Sequence, residues 1–258
     1  MSSSLKNRIK KIQRHLGVRA DGIIGPVTLS KIEQAIGLPQ DDYNLRVSLQ
    51  GLKALVKFEV TSKANYERNL TKAVWPGGKS GATVGIGYDL GYASKRKIEN
   101  DWKGLVSDHT LGRLLQAAGK TGARAKKEVS RMKRSSMKVP YLAAMRVFVK
   151  STLPKYARLT RKAYPGVEEL PPDAQTMLLS LIYNRGSSMA NKSSRREMRA
   201  IRALVKNQDL DGIADQFIAM KRLWKNKGLS GILKRRDKEA SLIRKARHRY
   251  KDSDIVLL

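Results

Sequence analysis

The run Ala82-Thr83-Val84-Gly85-Ile86-Gly87-Tyr88-Asp89-Leu90 places two glycines two residues apart inside an alternating, β-branched segment. Glycine weakens a strand interior and marks a bend or a close approach of other atoms. With a period of two, Ala82, Val84, Ile86, Tyr88 and Leu90 fall on one side, and Thr83, Gly85, Gly87 and Asp89 on the other. One side is apolar. The other is nearly bare backbone with a hydroxyl at one end and a carboxylate at the other, a floor against which a polymer can lie. A straight strand would hold Thr83 and Asp89 about 20 Å apart, too far to act on one water molecule. Joint action therefore requires the chain to fold back at Gly85 and Gly87, where glycine tolerates positive φ.

Elsewhere the apolar spacing is helical. Leu5, Ile9, Ile12 and Leu16 form one stripe that Gly17 ends, and Leu29, Ile32 and Ile36 form a second after the turn residues Asp-Gly and Gly-Pro in 20–28. Leu45, Leu49, Leu52, Leu55 and Val56 mark another stripe, and continuing it by three or four residues lands on Glu59. Residues 139–149, 172–183, 198–206 and 211–224 repeat the helical pattern, with Pro140, Pro154, Pro165, Pro171 and Pro172 as punctuation. No internal repeat is present. The expected organisation is mainly α: a small helical domain over 1–40, a linker at 41–46, and an α-rich body over 47–258 that carries a small sheet.

The formal net charge of +31 over 258 residues points to an anionic partner: nucleic acid, an anionic bilayer or an anionic cell-wall polymer. Charge alone does not choose among them, and a solvated basic surface has the same composition. The absence of cysteine excludes disulfides, thiol nucleophiles and Cys-based metal sites. His15, His109 and His248 share no short ligand spacing, so neither a metal site nor a Ser/His/Asp triad is expected, and no cofactor is called for. No zinc-finger, basic-zipper or RNA-recognition motif occurs, so no specific nucleic acid is expected. Charges interrupt the apolar positions of the first 17 residues, and nowhere do about 18 apolar residues follow one another. A cytosolic chain is expected, released by something other than an ordinary signal peptide.

Three residues carry candidate chemistry. Glu59 is either a helix-end acid turned to solvent or paired with a cation, or an acid in an apolar cleft. In a cleft, desolvation tunes a Glu up toward about pKa 6–7, so that it can protonate a leaving group, as glycosidic cleavage needs. Asp89 is either a turn residue capping the next segment or a second carboxylate; Thr83 is either an ordinary strand residue or a water holder. Trp75, Tyr88 and Trp224 are the aromatics available to sugar, although Phe217, Met220 and Leu223 suggest a buried stripe around Trp224.

The segment "IQRHLGVRADGIIGPVTLSKIEQAIG" resembles the peptidoglycan-binding domain of cell-wall hydrolases, a three-helix module, with Asp21, Gly22, Gly25 and Thr28 at its motif positions. "FE" at 58–59, "PGGKSGATVGIGYDLG" at 76–91, "LIYNRGSS" at 181–188 and "GILKRRDKEASLI" at 231–243 together resemble the lysozyme-like domain of phage endolysins and of the bacteriocin pesticin. The resemblance implies a bilobal α+β fold with the glycine stretch in a small sheet lobe. It also implies muramidase activity, hydrolysis of the β-1,4 bond between N-acetylmuramic acid and N-acetylglucosamine. On it, Glu59 matches the general acid, Thr83 the threonine that helps hold water, and Asn184 a polar residue facing the substrate. Asp89 is taken as the second carboxylate, downstream of the threonine as in the pesticin-like subgroup, with Glu67 as the fallback. Gly87, Tyr88 and Trp75 are expected beside the sugar, and Arg235 or Arg236 beside Glu59.

The resulting expectation is a monomeric endolysin without metal or cofactor. Its partners are peptidoglycan glycan strands, with electrostatic contact to an anionic outer membrane. It would be held in the host bacterial cytoplasm until a membrane-permeabilising protein gives it access to the periplasmic wall. Its rivals are a lytic transglycosylase, a pesticin-like bacteriocin, a wall-binding protein without catalysis and a basic nucleic-acid-binding protein.

Overall fold

A computed structural model describes residues 3–18, 20–24, 26–37, 45–246 and 250–258. The chain is mainly α, with short strands. The N-terminal part holds α1 (Ser3–His15), α2 (Pro26–Ala35) and β1 (Arg46–Ser48). Next come α3 (Leu49–Val60), α4 (Lys63–Asn69), β2 (Thr83–Val84), β3 (Tyr88–Asp89), α5 (Lys95–Trp102), α6 (Asp108–Gln116), α7 (Gly122–Arg134), α8 (Tyr141–Val147) and α9 (Leu153–Ala163). The remainder is α10 (Pro172–Arg185), α11 (Arg196–Lys206), α12 (Leu210–Ala219), α13 (Ser230–Arg244) and β4 (Ile255–Leu257). No helix among the described residues is long and apolar enough to cross a membrane.

Side-chain caps explain several helix starts. Ser62, Ser94 and Ser107 accept from the backbone N–H of Asn65, Lys97 and Thr110, satisfying donors that the first turns of α4, α5 and α6 cannot use internally. Asp209 does the same for Gly212 at the start of α12.

Two compact units emerge, and they do not follow the expected division at 41–46. The first comprises Met1–Ser48, Thr160–Leu178 and Ser187–Leu258, and the second Leu49–Leu159 and Leu179–Gly186. Most of the expected linker lies outside the described residues, but Arg46 opens β1, which pairs antiparallel with β4 in the register Arg46↔Leu257 and Ser48↔Ile255. Leu45 and Val47 are fully buried, so the apolar run from 45 is a strand before it is a helix. Gln175 Oε1 accepts from Arg46 N at 2.8 Å and Thr176 Oγ1 from Ser48 N at 2.9 Å, so side chains of α10 satisfy backbone donors of this short strand.

In the same unit α11, α12 and α13 bury Met198, Ile201, Ile213, Phe217, Ala240 and Ile243. Arg236 is fully buried, 2.6 Å from Glu239, with its guanidinium 5.5 Å from the Phe217 ring centre and 6.0 Å from that of Trp224. The N-terminal stripes are only partly buried. Ile9 is 5% exposed, whereas Leu5, Ile12, Leu29 and Ile36 are exposed, because two short helices have too little surface to enclose both stripes.

The second unit surrounds Leu55, Tyr66, Leu90, Trp102, Leu114 and Phe148, each almost wholly buried. Tyr66 donates its hydroxyl to the Val139 carbonyl at 3.1 Å, and Val139 N donates to the Thr71 carbonyl at 2.8 Å. These bonds tie the loop before α8 to α4 and the chain that follows it.

Candidate functional site

The glycine stretch is a hairpin. β2 and β3 pair antiparallel with Thr83 opposite Asp89 and Val84 opposite Tyr88, and residues 85–87 form the turn. Gly85 and Gly87 have φ of 59° and 70°, the left-handed region that lets a turn this short reverse the chain. Thr83 also exchanges backbone hydrogen bonds with Val74 at 2.8 and 2.9 Å, which gives the hairpin a third short edge. Ala82, Val84, Ile86, Tyr88 and Leu90 are buried, while Thr83 and Asp89 are half-buried on the other side.

Two groups approach the glycines: Trp102 and Ala144 lie against Gly85, and Tyr183, near the end of α10, lies against Gly87. The Tyr183 hydroxyl donates to the Ile86 carbonyl at 3.3 Å and lies where a side chain on Gly87 would begin. A second ring follows: Tyr156 of α9 lies 4.7 Å from Tyr183, centre to centre, and Phe148 packs edge-on to Tyr183 at 5.7 Å. Burial raises the pKa of the Tyr156 phenol, and the negative charges of Glu59 and then Asp89 push it further up. Both carboxylates therefore lie near enough to Tyr156 for their charge to reach its phenol. Sequence reasoning missed Tyr156, since a tyrosine in a basic amphipathic helix carries no signal of the carboxylates that fold toward it.

Glu59 is half-buried in the last turn of α3. The helix dipole disfavours a negative charge there, so the position does not serve helix stability. Asp89 takes both roles open to it in part. Its Oδ1 accepts from Gly91 N at 2.8 Å and its Oδ2 from Gly81 N at 3.2 Å, so it caps the one-turn 3₁₀-helix Leu90–Tyr92. Each carboxylate oxygen has a second lone pair with which to hold water. Opposite it, the Thr83 hydroxyl has no hydrogen-bond partner among the described residues.

Tyr88 is a correction: it is 6% exposed, edge-on to Trp102 at 5.4 Å, and its hydroxyl donates to Asp101 at 2.7 Å, so its ring is core and not a sugar platform. That follows from its place on the apolar side of the alternation. Trp75 is half-buried, donates to the Ser80 carbonyl at 3.2 Å and has Lys126 Nζ 5.6 Å from its ring centre. Asn184 is exposed in the last turn of α10, and Gly87 is exposed at the hairpin turn. Glu67 is exposed and 3.7 Å from Lys63, one helical turn away. Arg235 and Arg236 both bond Glu239, which lies on their own helix.

In the N-terminal segment Asp21, Gly22 and Thr28 surround the buried amide of Gln13, and Gly25 lies outside the described residues. Gln13 Nε2 donates to Asp21 Oδ1, the Ile23 carbonyl and Thr28 Oγ1 at 2.8, 2.9 and 3.1 Å, and its Oε1 accepts from Gly22 N at 2.8 Å. The motif residues thus build a turn. Gln13, which organises it, was not singled out because a glutamine one position off an apolar stripe reads as surface.

Among the described residues no group of three or more His, Asp or Glu side chains gathers to hold a metal ion. A family model described as a domain of unknown function, DUF8812, matches residues 56–236, most of the chain. The chain belongs to the DUF8812 family. No curated protein matches it. The DUF8812 region takes in Glu59, Thr83, Asp89, Tyr156 and Tyr183, and leaves out the Gln13 turn.

Proposed function

We propose that this member of the DUF8812 family is a peptidoglycan glycosidase, a muramidase acting as an endolysin. One observation carries the reading: a hairpin brings Thr83 face to face with Asp89, near a Tyr156 phenol whose pKa is raised by burial and then by the charges of Glu59 and Asp89. In this mechanism Glu59 gives its proton to the glycosidic oxygen as the bond to the anomeric carbon breaks. Water held by Thr83 and Asp89 adds to that carbon from the opposite side of the ring and loses its proton to Asp89. The likeness of residues 58–59, 76–91, 181–188 and 231–243 to phage-type lysozymes supports the same assignment. The likeness of residues 12–37 to a wall-binding module supports peptidoglycan as the polymer, with the tethered segment raising the local concentration of the enzyme at the wall.

A second reading, a lytic transglycosylase working with Glu59 alone, is favoured by the two backbone bonds that already engage Asp89. Digestion of purified Gram-negative peptidoglycan, with mass spectrometry of the products, separates the two. Reducing-end muropeptides from wild type, reduced about 10²–10⁴-fold in Glu59→Gln, support the muramidase. Anhydro-muropeptides support the transglycosylase. No release of fragments by the wild type removes both readings.

A further inference from the structure

We infer that a pocket between α5 and the α8–α9 junction binds a single phosphoryl-type oxyanion. The pocket has a volume of about 200 Å³ and is lined by Asn100, Asp101, Lys103, Arg146, Lys150 and Ser151, with two apolar neighbours. That is below the roughly 300–1,000 Å³ of sites for drug-sized ligands and suits one small charged group.

Three cations line this concavity, and two have nothing else to do. Lys103 is 3.2 Å from Glu99 in an exposed pair, but Arg146 and Lys150 make no ion pair or side-chain hydrogen bond among the described residues. The one carboxylate on the wall is already engaged. Asp101 Oδ2 accepts from Tyr88 at 2.7 Å, from Ser151 at 2.8 Å and from Lys97 at 3.0 Å, and Lys97 also reaches the Ser151 hydroxyl at 2.8 Å. The field in the pocket is therefore set by Arg146, Lys150 and Lys103, and a concave wall focuses it. A guanidinium offers two parallel donors that match two oxygens of a tetrahedral oxyanion, Lys150 adds a compact charge, and the Asn100 amide adds neutral donors.

The backbone supplies a second, independent sign. Between α8 and α9 the chain makes a π-helical turn, Phe148–Thr152, in which Leu153 N–H bonds the Phe148 carbonyl five residues back. Such turns are rare inside helices and concentrate at functional sites. Here the extra residue moves Lys150 and Ser151 round the helix axis relative to a regular α-helix. The bond from Ser151 to Asp101 holds them at the pocket. This site does not depend on the glycosidase reading.

Phosphate can reach it free in solution or as the headgroup of an anionic lipid, so two probes are needed with the full chain at low salt. One is inorganic phosphate followed by calorimetry, and the other is co-sedimentation with phosphatidylcholine vesicles with and without phosphatidic acid. The pocket variant Arg146→Gln/Lys150→Gln is compared with Lys225→Gln/Lys227→Gln, which removes the same charge from exposed positions outside the pocket. Both must melt as the wild type does. Saturable phosphate binding weakened about tenfold or more in the pocket variant, and less than about twofold in the other, supports the site. The same pattern seen only with phosphatidic acid vesicles supports it with a lipid as the source. Equal weakening in the two variants means bulk charge and overturns it, as does the absence of saturable binding to either probe.

Discussion

The hydroxyl of Tyr183 lies 1.9 Å from the point at which a Cβ on Gly87 would stand. A residue of α10 and the tip of the hairpin therefore share space that only glycine leaves open, and Gly87 is in addition held at φ 70°. Gly87→Ala should lose about 2–4 kcal/mol, the sum of left-handed strain and overpacking. Chemical denaturation measures it. Adding Tyr183→Phe should restore the overpacking part and leave the strain. A Gly87→Ala chain as stable as wild type would mean that the hairpin tip does not rest against Tyr183.

Buried phenols make the fold sensitive to alkali. Burial raises the pKa of Tyr66 above its ordinary 10.0; burial and Asp101 raise that of Tyr88; burial, Glu59 and Asp89 raise that of Tyr156. Above pH 10 the unfolded chain loses these protons first, so the folded state binds more of them and stability falls as pH rises. The melting temperature should be level below about pH 9.5 and drop beyond pH 10. Tyr66→Phe should start lower, having lost the bond to Val139, and decline less steeply.

Tyr156 also reports on the site by itself. Glu59→Gln or Asp89→Asn removes a neighbouring negative charge, so the midpoint of the Tyr156 phenol should move down toward its ordinary value in either variant, more in Glu59→Gln. Ultraviolet or NMR titration reads the shift. No movement in either variant would separate the two carboxylates from this phenol and from each other.

Gln13 holds four polar groups of the Asp21–Gly22 turn at once. Gln13→Ala should cost that segment about 2–4 kcal/mol, because the groups lose their partners inside the turn. Limited proteolysis should then cut within residues 3–37 while a fragment containing 49–159 persists. Unchanged cleavage would mean that other contacts hold the turn.

If the chain binds the wall as proposed, its net charge of +31 should make that binding electrostatic. At about 0.5 M salt the screening length is roughly 4 Å, so binding to purified peptidoglycan should fall strongly, whereas Glu59→Gln should bind as wild type does. Binding unaffected by salt would sink the electrostatic account and leave the segment proposed to bind the wall, residues 12–37, as the source of affinity.

Local rules carried well where both partners lie close in sequence. Alternation assigned the buried side of 82–90, and the two glycines announced the reversal that sets Thr83 opposite Asp89. Helical stripes with proline punctuation located α10 and α11 to within a few residues. The same rules misread Leu45 and Arg46, since β1 exists only by pairing with β4, some 200 residues along the chain. They made Tyr88 a sugar contact although its own periodicity put it in the core.

The amino-acid sequence by itself determined what one or two turns of chain can specify: the mainly helical pattern, the reversal at Gly85 and Gly87, the buried face of the hairpin and an acid at the end of α3. Only the tertiary structure decided what those residues meet. Tyr156 feels two carboxylates, Asp101 absorbs the donors of Tyr88, Ser151 and Lys97, and Arg146 and Lys150 line a pocket whose carboxylate, Asp101, is already engaged. The reason is physical. Backbone propensity and side-chain periodicity act over a few residues, whereas charge, burial and hydrogen-bond supply depend on groups that the folded chain brings together from far apart in sequence.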